Sequence, residues 1–172
     1  MTEAVKLITE MGQKARAAFT MLAGVSDAQK SDALTAAARH LRASHAVILA
    51  ANQRDMENAR ARGLTDAMLD RLMIDEGRLA AIAAAVEKVA NLPDPVGQII
   101  DRSEQPNGLV MERIRVPLGV IGIIYESRPN VTADAAALAL RSGNAVILRG
   151  GSEAIESNRA IFDAMVAGVV EA

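Results

Sequence analysis

Two short runs of β-branched and aliphatic residues, separated by a helix-length segment, constrain the fold of this chain more than any other feature. The runs are Val120–Ile124 and Ala145–Leu148, and each is typical of a strand buried on both faces of a parallel sheet. Parallel strands need a long crossover, which the Ala-rich segment between the runs supplies. Gly143 and Asn144 are suited to end that helix. We therefore expect a β-α-β unit whose two strands lie side by side and point the same way.

The remaining sequence divides into a helical part and a hairpin. Residues 1–95 read as successive helices, with a capping box at Ser26 and Gln29 and helix-opening acids at Asp75 and Glu76. Two strand candidates follow within residues 96–117, at 97–102 and 110–116, separated by a Pro-Asn-Gly turn. Residues 118–172 hold the β-α-β unit and a final helix over 152–170. We expect three parts: a helical layer (1–95), a hairpin arm (96–117) and a β-α-β-α unit (118–172).

Composition excludes several functional classes. The chain has 172 residues, a hydrophobic content of 51%, an aromatic content of 2% and a net charge of -2, so we expect one packed domain and no nucleic-acid partner. No apolar run is long enough for a membrane span, and the amino terminus does not resemble a signal peptide, which predicts a cytoplasmic protein. With no Cys and only two His, we expect no disulfide, no metal site and no cysteine nucleophile.

The polar turn Tyr125–Asn130 follows the first strand, where open α/β sheets bind their ligands. It precedes a helix, whose free amino-terminal amides attract anions. Arg128 can hold a carboxylate or phosphate through two parallel hydrogen bonds, and Pro129 fixes the backbone beside it. The alternative is that Arg128 pairs with Glu126 or Asp134 and only stabilises the turn.

A second glycine-containing turn follows the second strand. Its residues are Arg149, Gly150, Gly151, Ser152 and Glu153. The glycines allow a ligand to approach the backbone closely, and the amides that open the next helix can face an anion. The segment is not a Gly-x-Gly-x-x-Gly fingerprint. A simple strand-to-helix turn with Ser152 as the N-cap is the alternative.

The segments VPLGVIGIIYESRPN and LALRSGNAVILRGGSEAIESN resemble the γ-glutamyl phosphate reductase family, the NADPH-dependent glutamate-5-semialdehyde dehydrogenases of proline biosynthesis. The upstream segment AVILAANQRDMENARARGLTDAMLDRL is similar to the helical part of the same family. A more distant similarity extends to the aldehyde dehydrogenase superfamily. The resemblance implies an α/β fold in which a helical layer and a hairpin arm precede the first β-α-β-α part of an incomplete Rossmann domain.

The resemblance also implies functional residues. Ser127, Arg128 and Asn130 would face the glutamyl phosphate, while Arg149, Gly150, Gly151, Ser152 and Glu153 would bind the adenosine end of NADPH. The family's nucleophilic cysteine is absent, so the chain is expected to be truncated and inactive alone. The hairpin would join a partner subunit in a homo-oligomer, and the open sheet would favour self-association. The competing hypothesis is a non-catalytic binding or assembly module derived from that domain.

Overall fold

A computed structural model of the chain describes residues 2–172 and shows seven α-helices and four strands within that range. Five helices come first: α1 (Glu3–Leu22), α2 (Asp27–Ala43), α3 (His45–Ala61), α4 (Asp66–Leu72) and α5 (Glu76–Ala90). The predicted capping box of α2 is confirmed, since Ser26 and Gln29 each accept a hydrogen bond from the other's backbone N–H. Asp75 likewise accepts from the backbone N–H of Arg78 and begins α5. Local capping therefore fixes where these two helices begin.

The remaining elements are β1 (Ile99–Glu104), β2 (Val110–Ile114), β3 (Val120–Ile124), α6 (Asn130–Arg141), β4 (Ala145–Arg149), a short 3-10 helix (Ser152–Ala154) and α7 (Ile155–Glu171). Strands β1 and β2 form an antiparallel hairpin, and β3 pairs with β4 in parallel. The β-α-β prediction is confirmed. Among residues 2–172, none of the helices combines the length and apolar composition that crossing a membrane needs.

Two elements begin later than the sequence predicted. The first hairpin strand begins at Ile99 instead of Gly97, because Gly97 takes a left-handed φ of +81° and the register shifts between Ile99 and Asp101. The final helix begins with a 3-10 turn, so regular α-helix starts only at Ile155. Ser152 is the first residue of that turn and makes no capping hydrogen bond.

Helix α2 lies at the centre of the apolar core, where it packs on α7 and α5. The core contains Leu34, Leu41, Ile48, Val86 and Ile161, all fully buried. Helices α3 and α6 complete it, so the helices of the first half and those of the β-α-β unit share one core. This packing holds α6 and α7, and thereby the strand ends that precede them, in fixed positions.

The sheet itself is open. Strand β3 was expected to be buried on both faces, yet Val120 is 38% exposed and Ile124 is 79% exposed. Helix α1 contacts β4 and β3 without burying any of its own residues. The prediction of two-sided burial was wrong because the residues described here contribute two strands to this sheet and α1 covers it only partly.

Two buried cations hold the segment that leads to the hairpin. Lys30, with a side chain only 3% exposed, lies 2.5 Å from Asp94. Arg141 donates from Nε to the carbonyl of Leu92 at 2.8 Å and pairs with Asp27 at 2.6 Å. Burial raises the pKa of Asp94, but the hydrogen bonds from Lys30 and from the Val96 N–H outweigh it and the net pKa is lowered. Asp94 is therefore ionised in its pair with Lys30.

Candidate functional site

The carboxyl ends of β3 and β4 lie next to each other. Ile124 is paired with Arg149 in the parallel register, and the Tyr125 N–H donates to the Arg149 carbonyl at 3.0 Å. This arrangement confirms the expectation that the two polar turns meet at one edge of the sheet. In open α/β sheets such an edge is where ligands bind.

A carboxylate joins the two turns. Both the backbone N–H and the hydroxyl of Ser127 donate to Glu153 Oε1, at 3.1 and 2.5 Å. Ser127 is 8% exposed, and its φ of +20° lies at the edge of the left-handed region that residues with a side chain seldom adopt. The Glu153 carboxylate therefore compensates for an unfavourable backbone conformation in the first turn by satisfying two donors of the same residue.

A chain of hydrogen bonds lies beneath Gly150. Tyr125 and Thr132 share a hydrogen bond of 2.7 Å between their hydroxyls, and the Thr132 hydroxyl donates to Asn158 Oδ1 at 3.1 Å. A Cβ on residue 150 would lie 2.2 Å from Asn158 Nδ2 and 3.1 Å from the Tyr125 hydroxyl. A Cβ at this position would force the Asn158 side chain to shift, so the close packing favours glycine.

A cleft of about 810 Å³ lies beside the second turn, between α1, α6, β4 and α7. Its floor is mostly aliphatic and includes Val146 and Leu148, while Arg149, Gly150 and Gly151 form one wall. Two further cations lie at its boundary, Lys14 from α1 and Arg159 from α7. A mainly apolar cleft with a few convergent polar groups is the usual form of a small-molecule site.

Comparison with curated proteins identifies relatives of high identity. The chain is 65% identical over 170 residues to the gamma-glutamyl phosphate reductase of Sphingopyxis alaskensis, covering 99% of this chain and 40% of the relative. It is 61% identical over 163 residues to that of Rhizorhabdus wittichii, covering 95% of this chain and 38% of the relative. Over 95–99% of its length, this chain is similar to gamma-glutamyl phosphate reductases. The chain spans about two fifths of the length of these relatives, and no protein-family model matches it.

Solved structures give the same result at the level of the fold. The crystal structure of the gamma-glutamyl phosphate reductase from Thermotoga maritima matches with a TM-score of 0.90 at 43% identity, covering 95% of this chain and 39% of that one. The Saccharomyces cerevisiae reductase matches with a TM-score of 0.89 at 32% identity, covering 94% and 41%. An NAD-dependent benzaldehyde dehydrogenase from Corynebacterium glutamicum shares the fold, with a TM-score of 0.67 at 24% identity and coverage of 91% and 33%. The chain thus has the aldehyde-dehydrogenase-like fold that the sequence predicted.

The structure places the residues that family resemblance assigned to the substrate in different environments. Ser127 is buried and bound to Glu153, whereas Arg128 is exposed. Asn130 donates to Asp134 at 2.9 Å. Within residues 2–172 the Arg128 guanidinium forms no ion pair with Glu126 or Asp134, and Asp134 instead accepts from Asn130. The guanidinium of Arg128 is available to a ligand.

The residues assigned to the cofactor of the family lie along the wall of the cleft, with one exception. Arg149, Gly150, Gly151 and Ser152 all line it. Glu153 instead points to the first turn, where it accepts from Ser127. No group of His, Asp and Glu side chains within residues 2–172 is arranged to hold a metal ion.

Sequence reasoning missed four residues of this site. Lys14 and Arg159 reach the cleft from helices distant in sequence, and Thr132 and Asn158 support Gly150 from below. Lys14 and Arg159 occupy positions on their helices that are typical of solvent-exposed cations. The sequence therefore gave no indication that they contribute to the cleft. Thr132 on α6 and Asn158 on α7 gave a weak indication, because polar residues are uncommon on the inner face of a helix.

The hydrogen bonds between Ser127 and Glu153 predict that the free energy of unfolding depends on pH. Hydrogen bonds, first from the Ser127 hydroxyl, lower the pKa of Glu153 below its ordinary 4.5. The carboxylate therefore contributes stability above that value, and the contribution is lost as pH falls through the lowered folded-state pKa. We expect Glu153→Gln to reduce the free energy of unfolding at neutral pH and the difference from wild type to shrink as the pH falls below 4.5, through the lowered pKa of Glu153. Urea unfolding at several pH values measures both.

The exposed carboxylate of Glu126, in the same turn, provides the matched control. A pH-dependent loss in Glu126→Gln as large as that in Glu153→Gln would show that the effect arises from the general charge of the turn and contradict a specific role of Glu153.

Proposed function

We propose that this chain supplies the cofactor wall and part of the substrate wall of a reductase that uses NADPH to convert L-glutamate 5-phosphate into L-glutamate 5-semialdehyde and phosphate, in proline biosynthesis. The observation that carries the proposal is the parallel pairing of Ile124 with Arg149, which brings both polar turns to one edge beside the cleft. Identity of 61–65% to gamma-glutamyl phosphate reductases supports the choice of reaction.

The wall of the cleft suits a phosphorylated nucleotide. Gly150 and Gly151 line the cleft, and Arg149, Lys14 and Arg159 contribute positive charge around an aliphatic floor. A guanidinium can bind a ribose 2′-phosphate through two charge-assisted hydrogen bonds, which favours NADPH over NADH. Because Glu153 accepts from Ser127, we propose that the exposed Ser152, which lines the cleft, is the residue of this turn that contacts the ribose. When bound, NADPH supplies the hydride.

The first turn suits the acyl phosphate. Arg128 is exposed next to the amino terminus of α6, where the helix dipole favours an anion. Asn130 opens that helix, and Ser127 is fixed beside it by Glu153. We propose that Arg128 neutralises the phosphate of the substrate while Ser127 and Asn130 define the polar wall near its carbonyl.

These residues do not supply the nucleophile for the covalent step of the reaction. Attack on an acyl phosphate by a thiolate is the nucleophilic route that family resemblance implies, and the sequence contains no cysteine. The proposed role is therefore binding and orientation, and the 172-residue chain alone should leave NADPH unoxidised when glutamyl phosphate is added.

The hairpin supports a second role, in assembly. Its apolar side chains, including Ile99, Ile100, Val110, Met111 and Ile114, are 43–54% exposed. We propose that residues 96–117 form an arm that pairs with another subunit, apart from the helical layer (1–95) and the nucleotide-binding unit (118–172). This exposure is also the observation that favours the alternative function, a non-catalytic assembly module.

Calorimetric titration of the chain with NADPH and NADH tests the cofactor role. We expect NADPH to bind about tenfold more tightly than NADH, which corresponds to about 1.4 kcal/mol, because only NADPH carries the 2′-phosphate. Arg149→Gln should abolish most of this preference while leaving NADH binding unchanged. Arg113→Gln, which removes an exposed arginine of the hairpin, is the matched control.

Two results would contradict the proposal. Undetectable binding of both nucleotides would favour the assembly module, and an unchanged NADPH preference in Arg149→Gln would remove Arg149 from the cofactor site. Oxidation of NADPH by the isolated chain upon addition of glutamyl phosphate would contradict the proposed lack of a nucleophile.

A further inference from the structure

A second, smaller pocket of about 280 Å³ lies on the other side of the first turn, where the amino-terminal ends of α5 and α6 meet. Pro129 and Asn130 form one side of it, directly after Ser127 and Arg128 in the chain. The pocket is therefore continuous with the turn assigned above to the acyl phosphate, and a small ligand can contact both.

The charged groups of this pocket are of both signs and balance each other. Arg78 is already engaged, since it pairs with Asp70 at 2.6 Å and donates to the Met73 carbonyl at 3.1 Å. Arg71 makes no hydrogen bond or ion pair within residues 2–172. Asp134 accepts one hydrogen bond, from Asn130, through Oδ2, which leaves Oδ1 uncommitted. One guanidinium and one carboxylate thus remain for a ligand.

The rest of the lining is mainly apolar and includes Met73 and Ile82. A phosphate group bound in this pocket, in addition to the acyl phosphate at the first turn, would require an excess of positive charge, which the pocket lacks. A group with one ammonium, one carboxylate and a short aliphatic chain satisfies all three features, because each charge meets its opposite and the methylenes contact the apolar lining.

We propose that this pocket binds the α-amino-acid head group of the substrate, with Asp134 accepting from its ammonium and Arg71 donating to its α-carboxylate. The inference rests on the proposed function for the identity of the substrate. In a glutamyl compound three carbon–carbon bonds separate the α-carbon from the carbon that reacts. This short chain leads from the pocket past Pro129 toward Ser127 and Arg128, so the head group and the acyl phosphate occupy adjoining sites.

An NMR titration of the 172-residue chain with three stable probes tests the assignment. L-Glutamate carries both charges of the head group, glutarate lacks the ammonium, and 4-aminobutyrate lacks the α-carboxylate. We expect L-glutamate to shift the signals of Asn130 and Asp134 and to bind about tenfold more tightly than either of the other two. Equal affinity of the three probes, or no shift at these residues with L-glutamate in the tens of millimolar range, would overturn the proposal.

Two substitutions assign the two charges separately. Asp134→Asn keeps an oxygen that can accept from Asn130, and it should reduce L-glutamate affinity about tenfold while leaving glutarate unchanged. Arg71→Gln should weaken L-glutamate binding by a similar factor and leave 4-aminobutyrate unchanged. Arg113→Gln on the hairpin serves as the control for both. A general loss of all three probes in either variant would contradict the assignment of that charge.

The outcome is distinguishable from that of the cofactor proposal. NADPH binds in the other cleft, so the two substitutions should leave NADPH affinity at the wild-type value. A chain that binds L-glutamate selectively but not NADPH would contradict the cofactor role and still support this pocket. A chain that binds NADPH but does not discriminate among the three probes would support the cofactor role and contradict the assignment of this pocket.

Discussion

Replacing Asp55 by alanine is expected to lower the free energy of unfolding by about 3 kcal/mol, since a buried carboxylate that accepts several hydrogen bonds would be lost. Asp55 lies on α3 and is 2% exposed. Its carboxylate accepts from the Ser157 N–H at 2.8 Å, the Ser157 hydroxyl at 2.6 Å and the Glu156 N–H at 3.3 Å. It thus caps the amino terminus of α7 from another helix, where negative charge is favourable. Urea unfolding followed by circular dichroism measures the loss.

Two further variants separate the contributions at this position. Asp55→Asn keeps one acceptor oxygen without the charge, so we expect a loss between those of wild type and Asp55→Ala. Asp163→Ala removes an exposed aspartate of α7 itself and should change stability by no more than about 0.5 kcal/mol. Equal losses in Asp55→Ala and Asp163→Ala would rule out the cap as the source of stability.

Gly168→Ala is expected to destabilise the chain by about 2 kcal/mol, although alanine is the better helix former. A Cβ on residue 168 would lie 2.3 Å from the Ala37 Cα, 2.4 Å from the Ala37 nitrogen and 2.6 Å from the Ala36 carbonyl carbon. All three atoms belong to the backbone of α2, so no side chain can rotate away and α7 must move off α2. Thermal unfolding of the variant measures the cost.

Gly12 provides a control in which the same substitution is expected to stabilise the chain. It also lies within a helix, α1, but a Cβ there would meet nothing within 4 Å. Gly12→Ala should therefore stabilise the chain by up to about 1 kcal/mol through helix propensity alone. If Gly168→Ala were also stabilising, the close approach of α7 to α2 would be wrong.

The two stability predictions also bear on the site. Helix α7 contributes Asn158 and Arg159 to the wall of the cleft, and it follows the 3-10 turn that contains Glu153. Displacing α7 at either end would move these groups together. We expect Asp55→Ala and Gly168→Ala to weaken nucleotide binding in proportion to the displacement of α7, unlike Arg149→Gln, which acts on one contact.

Much of this architecture follows from local sequence. The side chains of Ser26 and Asp75 bond to backbone groups three residues away, so their helix starts can be read from a few neighbouring residues. The runs at Val120 and Ala145 are separated by a segment of helix length, and this predicted their parallel pairing. Once two strands are parallel, their carboxyl ends meet at one edge, which is why the position of the two turns could be predicted.

The tertiary structure alone decided which side chains complete those turns. Ser127 and Glu153 are 26 positions apart and Asp55 and Ser157 are 102 apart, and neither pair carries a local pattern. Family resemblance assigned Glu153 to the adenosine end of the cofactor, whereas in the structure its carboxylate accepts hydrogen bonds from Ser127. Residues near in sequence are restricted to a few backbone geometries, so their hydrogen bonds can be read from spacing. Contacts between distant elements depend on how whole helices pack, which the spacing of single residues does not encode.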